Sequence, residues 1–182
     1  MKEIRIHARA GQGAITTAAL LGCAYFLEEK FPYAFPHFGA ARMGAPMNAF
    51  VRVDSQPVRL RSQIYEPDYV IVVDSTLMRG FNCLAGLKED GIAIIDERQG
   101  IESPKPRLKQ KIYVVPATKI AMETIGRPLS NTALLGAYVA ATGEIALDTL
   151  LKAIKNRFSG KTQEANVKAV QQGYDFVKAQ MK

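Results

Sequence analysis

Short, continuous apolar segments constrain the fold of this chain more than any other feature of its sequence. Such segments lie at 69–73 and 92–95, and a third strand segment at 111–115 is apolar after its initial lysine; aspartate, glycine or proline follows or precedes each of them. Runs of this length are typical of parallel strands that are buried on both faces of a sheet. An alternating segment at 2–8 predicts a further strand, and a helical pattern follows it at 14–30. Strands that alternate with helices predict one three-layer α/β/α domain with a mostly parallel sheet.

The remaining patterns predict an antiparallel addition to this sheet. Segments 47–54 and 58–61 flank a turn and are expected to pair as a hairpin, which makes the sheet mixed. Residues 33–46 are expected to form a loop, because Pro32 and Pro36 interrupt the preceding pattern. Further helices are expected at 117–125, 131–142, 146–158 and 162–181.

Length and composition indicate that residues 1–182 form one globular domain. The chain is 48% hydrophobic and 23% charged, which excludes a disordered protein. No apolar run approaches the roughly 20 residues that a membrane-spanning helix needs. The N-terminus enters a strand pattern directly and resembles no signal peptide. We therefore expect a cytoplasmic protein without a membrane partner.

The net charge of +7 does not by itself predict nucleic-acid binding. Basic residues are scattered, and the densest stretch, at 105–111, carries no aromatic residue on which a base could stack. This stretch is read as a solvated basic loop, with a site for an anion or an acidic partner protein as the alternative.

Cysteine and histidine are too few and too dispersed for a metal or redox centre. Cys23 and Cys83 form no CxxC pair, and His7 and His37 are isolated. Iron–sulfur clusters usually take four cysteine ligands, and structural zinc sites take four ligands of cysteine or histidine. We predict that this chain holds neither, and that Cys23 is a small hydrophobic residue of a helix.

A glycine loop at residues 10–13 joins the first strand to the first helix. The free N–H groups of a helix N-terminus can bind phosphate. Thr16 occupies the place of the third glycine of a dinucleotide-binding motif, and no lysine followed by serine or threonine marks a nucleotide triphosphate loop. A phosphate site and a purely structural tight turn both remain open.

The aromatic segment 33–46 is unusual for a solvated loop and favours an interface, with a self-packed loop as the alternative. Arg42 within it could pair with a carboxylate or a phosphate.

Asp74 and Asp96 follow two buried strands, at the edge where parallel sheets present functional groups. For both carboxylates, capping or solvation is favoured over acid–base chemistry, and a helix is expected to follow Asp74, with Ser75 or Thr76 as its N-cap.

Four motifs in order resemble the gamma subunit of 2-oxoacid:ferredoxin oxidoreductases. The first signature is similar to residues 4–14, with alanine at two positions where relatives often carry glycine. The second is similar to residues 35–46, where family members often carry Pro-Glu in place of Ala40 and Ala41. The third is similar to residues 58–62 together with 65–69, and the fourth to residues 130–137. The resemblance covers nearly the whole chain and is strongest to the pyruvate-type enzymes.

This resemblance implies a fold like domain III of pyruvate:ferredoxin oxidoreductase and the role of an accessory subunit that is inactive alone. Enzymes of the family convert a 2-oxoacid and coenzyme A to acyl-CoA, carbon dioxide and reduced ferredoxin. The complex is expected to use thiamine diphosphate, Mg, 4Fe–4S clusters and coenzyme A, with no cofactor bound by this chain alone. The implied partners are alpha, beta and delta-type (ferredoxin-like) subunits, with ferredoxin as acceptor and no nucleic acid.

The two loops and the fourth motif supply the candidate site. We predict that their residues bind a cofactor or contact other subunits, close to the path by which coenzyme A reaches the complex. These residues are Arg9, Gly11, Gln12, Gly13, Phe35, Phe38, Gly39, Arg42, Gly44, Pro46 and Asn131. None is predicted to be catalytic or to bind a metal. The alternative function is a stand-alone nucleotide- or flavin-binding α/β module.

Overall fold

The strands and helices follow the sequence patterns closely, except between residues 31 and 66. The computed structural model describes residues 1–39 and 42–181, without the side chain of Phe38. The strands are β1 (Lys2–Arg9), β2 (Phe31–Phe38), β3 (Pro46–Asp54), β4 (Tyr69–Val72), β5 (Ile92–Asp96) and β6 (Lys111–Val115). The helices are α1 (Ala14–Leu27), α2 (Ala117–Thr124), α3 (Asn131–Thr142), α4 (Leu147–Arg157) and α5 (Gly160–Gln180), with a 3₁₀ helix at Ser75–Arg79.

A six-stranded sheet in the order β2-β3-β1-β4-β5-β6 forms the centre of the domain. Strands β1, β4, β5 and β6 are parallel, and β3 runs antiparallel to both β1 and β2. The prediction of an α/β domain with a mostly parallel mixed sheet is therefore confirmed.

The two faces of the sheet are covered by different kinds of structure. Residues such as Ile4, Ile71 and Ile94 face a core to which all the α-helices contribute. On the opposite face, Val70 and Val72 pack against the 3₁₀ helix and the turns that follow it. The helix expected after Asp74 is thus a single 3₁₀ turn, and the third layer contains more turn than helix.

The predicted hairpin between 47–54 and 58–61 is wrong. Strand β3 pairs with β2 along its whole length, and residues 58–61 form no strand. The prediction of a loop at 33–46 is therefore wrong for its first part, which is the edge strand β2. Pro32 and Pro36 are compatible with this strand, because only its inner side faces β3 and an edge strand tolerates missing outward N–H donors.

Two buried arginines hold the irregular segment 58–66 on the sheet. Arg52, only 1% exposed, lies with its Nε 2.7 Å from Glu3 Oε1 and donates to the carbonyl oxygens of Ser62 and Gln63. Arg5 donates to the carbonyl oxygens of Ile64 and Tyr65, and also to those of Cys83 and Ala85. The two guanidinium groups thus donate to carbonyl oxygens of segment 58–66, which in a strand would accept from a neighbouring strand.

Helix α3 lies at the centre of the helical layer and touches α5 backbone to backbone. A Cβ added at Gly136 would lie 1.9 Å from the carbonyl oxygen of Val170, and one at Gly173 would lie 2.0 Å from that of Ala133. This close approach fixes the positions of the N-terminal ends of α3 and α5 relative to each other. Within the described part of the chain, no helix is both long and apolar enough to cross a membrane.

Candidate functional site

The glycine loop leaves the first turn of α1 open at the carboxyl end of β1. Gly11 and Gly13 have φ values of +97° and +84°, which favour glycine over residues with a Cβ. Gly13 is the N-cap, and no side chain caps the helix there. The free N–H groups of α1 therefore remain available to an external acceptor.

A polar network fastens this loop to the end of β4. Gln12 Nε2 donates to Asp74 Oδ2 over 2.7 Å, while Gln12 Oε1 accepts from the backbone N–H of Arg9 over 2.8 Å. Arg9 Nε lies 3.4 Å from Asp74 Oδ2, and Arg9 Nη2 donates to Thr76 Oγ1. Burial raises the pKa of Asp74, but the hydrogen bonds from Thr76 and Gln12 outweigh it, so that this pKa lies below its usual value.

Asp74 and Asp96 each cap a separate segment. Asp74 accepts from Thr76 N over 3.0 Å as the N-cap of the 3₁₀ helix, so that Asp74 itself, and neither Ser75 nor Thr76, is the capping residue. Asp96 is fully buried and accepts from Thr118 N over 2.9 Å. Burial raises the pKa of Asp96 beyond what its hydrogen bonds with Thr118 and Arg98 offset. The structure gives no contact between these two carboxylates, and the capping interpretation accounts for both.

A cavity of about 570 Å³ opens beside the glycine loop, where the N-terminal ends of α1, α3 and α5 converge. We call it the three-helix cavity. Its lining contains the cations Arg127 and Lys161 but no aspartate or glutamate. The lining residues are Gly11, Gly13, Thr16, Ile125, Arg127, Leu129, Asn131, Phe158, Lys161, Thr162, Ala165 and Asn166.

Asn131 is the polar side chain most clearly directed at this cavity. It is only 6% exposed, and a Cβ added at Gly13 would lie 2.9 Å from its Nδ2 atom. Its side-chain amide is not among the buried polar atoms that lack a partner within the described residues, and Asn131 lines the cavity. An amide that faces a cavity can donate to a ligand and accept from it. Three helix ends, two cations and this amide together form a site for an anion.

The loop that follows β2 packs against the glycine loop. Gly44 N donates to Ala10 O over 3.0 Å, and Arg9 Nη1 donates to Gly44 O over 3.3 Å. The Met43 side chain occupies the space beside Gly11, where an added Cβ would lie 2.6 Å from its Sδ atom. Gly44 therefore belongs with the glycine loop. Ala40 and Ala41, where the family often carries Pro-Glu, lie outside the described residues.

The other predicted residues of this loop belong to a second cavity, on the opposite face of the sheet. This cavity of about 530 Å³ includes Gly39, Arg42 and Pro46 in its lining. Its floor contains His7, whose pKa is lowered to about 4 by burial and by the nearby Arg5 guanidinium. Arg5 Nε donates to His7 Nε2 over 3.0 Å, which fits a neutral imidazole.

Phe35 contributes to neither cavity. Its ring packs 5.1 Å from that of Phe50 and 5.0 Å from that of Tyr33, measured between ring centroids. The Phe38 side chain lies outside the described part of the structure. The predicted residues therefore divide into one set around the glycine loop and Asn131 and a second set across the sheet.

Sequence reasoning missed the two cations of the three-helix cavity. Arg127 lies in the turn before α3, and Lys161 lies in the first turn of α5. Both are more than 100 residues from the glycine loop, and only the packing of α3 on α5 brings them to it. Within the described ranges, no group of three or more His, Cys, Asp or Glu residues could hold a metal ion.

Comparisons with known proteins match nearly the whole chain. A family model described as pyruvate ferredoxin/flavodoxin oxidoreductase matches residues 3–176. The common gamma subunit of the pyruvate/ketoisovalerate oxidoreductases of Pyrococcus abyssi is 47% identical over 178 residues, covering 96% of each chain. The pyruvate synthase subunit PorC of Methanosarcina barkeri is 50% identical over 155 residues, covering 85% of each chain. The crystal structure of the pyruvate oxidoreductase subunit PORC of Thermotoga maritima is 37% identical and has a TM-score of 0.82, covering 96% of this chain and 95% of that one.

Proposed function

The chain belongs to the pyruvate ferredoxin/flavodoxin oxidoreductase family, and we propose that it binds the anionic part of coenzyme A for that oxidoreductase complex. The resemblance to a gamma subunit is confirmed by relatives that match nearly the full chain. The chain is thus a subunit of a 2-oxoacid oxidoreductase, and a stand-alone nucleotide- or flavin-binding module is not favoured.

Pyruvate is the proposed 2-oxoacid, because two of these relatives are named as subunits of pyruvate enzymes. The Pyrococcus abyssi relative is named as common to pyruvate and ketoisovalerate oxidoreductases. A gamma subunit that serves two substrates cannot be the part that selects between them. We therefore propose that the choice of 2-oxoacid lies on other subunits.

The remaining composition of the complex is also a proposal. The whole of residues 1–182 would act as one gamma-type domain beside alpha, beta and delta-type subunits, with ferredoxin as acceptor and without nucleic acid or membrane contact. Thiamine diphosphate, Mg and 4Fe–4S clusters would be held by those other subunits. A cytoplasmic location completes this proposal.

The three-helix cavity is the observation that supports a role in binding coenzyme A. Coenzyme A carries a diphosphate and a further phosphate, and the cavity offers Arg127, Lys161 and three helix ends without a lining carboxylate. The amide of Asn131 can contact a phosphate or the adenine. Apolar residues such as Ile125 and Phe158 provide a surface for the non-polar parts of the ligand.

The assembled oxidoreductase provides the test. Arg127→Ala and Lys161→Ala should each raise the KM for coenzyme A about tenfold, since a hydrogen bond to a charged group contributes about 1.5 kcal/mol or more. The KM for the 2-oxoacid should not change. Lys152→Ala, an exposed change on α4, is the matched control and should leave both constants unaltered. An unchanged KM for coenzyme A in both cavity variants would refute this role.

A further inference from the structure

The turn that precedes β6 holds an exposed leucine in a backbone conformation that favours glycine. Gln110 N donates to Arg107 O over 3.0 Å and closes the turn. Leu108, inside it, has a φ of +56°, in the left-handed region that side chains with a Cβ disfavour. Its side chain is 77% exposed, so that burial within this chain does not offset the strain.

The turn is nevertheless held firmly to the rest of the domain. Gln110 Oε1 accepts from Arg107 N over 3.2 Å, and Gln110 Nε2 donates to Leu87 O over 2.9 Å and to Lys88 O over 3.1 Å. Lys109 N donates to Glu89 O over 3.1 Å. These bonds present Leu108 to solvent at a fixed position. Strain that the surrounding structure maintains points to a use outside the folding of the chain.

Exposed basic residues surround Leu108 in the sequence. Lys105, Arg107, Lys109 and Lys111 are all exposed, and none forms an ion pair with any residue of the described ranges. Two exposed carboxylates, Glu89 and Asp90, in the neighbouring turn offset only part of this charge. The segment 105–111 is thus an apolar contact point surrounded by unpaired positive charge.

We propose that segment 105–111 docks the acidic electron-carrier protein that accepts electrons from the complex, with Leu108 as its apolar contact. This inference rests on the proposed function, which supplies a ferredoxin-type acceptor. A permanent subunit interface is usually large and apolar, whereas weak electron-transfer contacts are small and charged. Basic residues around one apolar side chain provide electrostatic steering toward an acidic face and a short-lived complex.

The test uses the assembled oxidoreductase with a ferredoxin that has an acidic face. The triple variant Lys105→Glu, Arg107→Glu, Lys109→Glu should raise the KM for ferredoxin about tenfold or more and weaken its dependence on salt. Reduction of a viologen dye, which requires no protein docking, should be unchanged. Lys30→Glu, Lys152→Glu, Lys168→Glu, three exposed sites elsewhere, make the same change in net charge and should have a much smaller effect.

Leu108→Gly separates docking from folding, because glycine relieves the strained φ while it removes the apolar contact. This variant should assemble normally and still raise the KM for ferredoxin severalfold. An effect of the charge-reversed triple variant no larger than that of its control would overturn the proposal, as would an equal loss of viologen reduction. The KM for coenzyme A of the Arg127→Ala and Lys161→Ala complexes, measured with viologen as acceptor, tests the proposed function by itself, since it involves no carrier protein.

Discussion

Gln12 Nε2 and Asp74 Oδ2 lie 2.7 Å apart and join the glycine loop to the end of β4. Apart from this link, the loop is held by its hydrogen bonds with Gly44, since no side chain caps α1. Arg9 reinforces the link through its 3.4 Å ion pair with the same carboxylate oxygen. The position of the open helix end, and therefore of the three-helix cavity, depends in part on Asp74.

Asp74→Asn should loosen the loop while it preserves the shape of the side chain. The asparagine loses the ion pair with Arg9 and accepts more weakly from Gln12. We expect the KM for coenzyme A to rise, and the free energy of unfolding to fall by about 1–2 kcal/mol. Asp90→Asn, at an exposed site, should change neither quantity. Steady-state kinetics of the complex and urea unfolding of the purified subunit measure the two effects, and an unaltered KM would show that the loop holds its shape without Asp74.

Gly13→Ala should fill the space between the glycine loop and Asn131. Both Gly13 and Gly143 have positive φ values, +84° and +66°, so alanine at either site costs about 1 kcal/mol of stability. Only the Cβ at position 13 meets the Asn131 amide, whereas nothing lies within 4 Å of a Cβ at position 143.

The comparison of these two variants therefore separates backbone strain from obstruction of the cavity. Gly13→Ala should raise the KM for coenzyme A in the assembled complex, and Gly143→Ala should not. Equal kinetic constants for the two variants would mean that the ligand does not approach Asn131.

The sequence predicts those parts of the fold that follow from local periodicity. The sequence patterns predict β1, β4, β5 and β6 to within about a residue of their observed ends, because each strand has a clear alternating or apolar pattern. The sequence does not predict strand β2, because its prolines suggest a loop. These prolines are tolerated in the strand only because β2 lies at the edge of the sheet. The partner of β3 was misassigned for the same reason.

The candidate site likewise contains residues that the sequence predicts and residues that only the tertiary structure reveals. Gly11 and Gly13 belong to a local motif that sequence reasoning can find, and Asn131 follows from a resemblance. Arg127 and Lys161 carry no local signal, since their role depends on the approach of α3 to α5. The bonds between Arg9, Gln12 and Asp74 likewise require the register of β1 beside β4.

His7 should make the stability of the subunit depend on pH in the acidic range. Its pKa falls from 6.5 to about 4 on folding, mainly through burial and secondly through Arg5. Above pH 6.5 the imidazole is neutral in both states, and its contribution to stability is fully present. As the pH falls toward 4, the unfolded state takes up the proton first, so that about 3 kcal/mol is lost.

Urea unfolding of the purified subunit at pH 7 and pH 4.5 measures this loss. His7→Gln retains an acceptor for Arg5 Nε but has no proton to take up, so its loss over the same range should be smaller by about 2–3 kcal/mol. His37→Gln, an exposed change, should follow the unaltered chain. Identical pH profiles for His7→Gln and the unaltered chain would exclude His7 as the responsible group.

Gly136→Ala should strongly destabilise the helical layer. Its Cβ would lie 1.9 Å from Val170 O, a backbone atom that can move only if α5 moves away from α3. Overpacking of this kind costs about 3 kcal/mol, and the helix propensity gained by alanine returns only about 1 kcal/mol. Gly22→Ala in α1 is the control, because its Cβ meets Ala34 at an ordinary 3.6 Å and should raise the free energy of unfolding slightly. Because α5 carries Lys161 into the three-helix cavity, Gly136→Ala should also raise the KM for coenzyme A in any complex that still assembles. Retention of full stability in Gly136→Ala would contradict the backbone contact between the two helices.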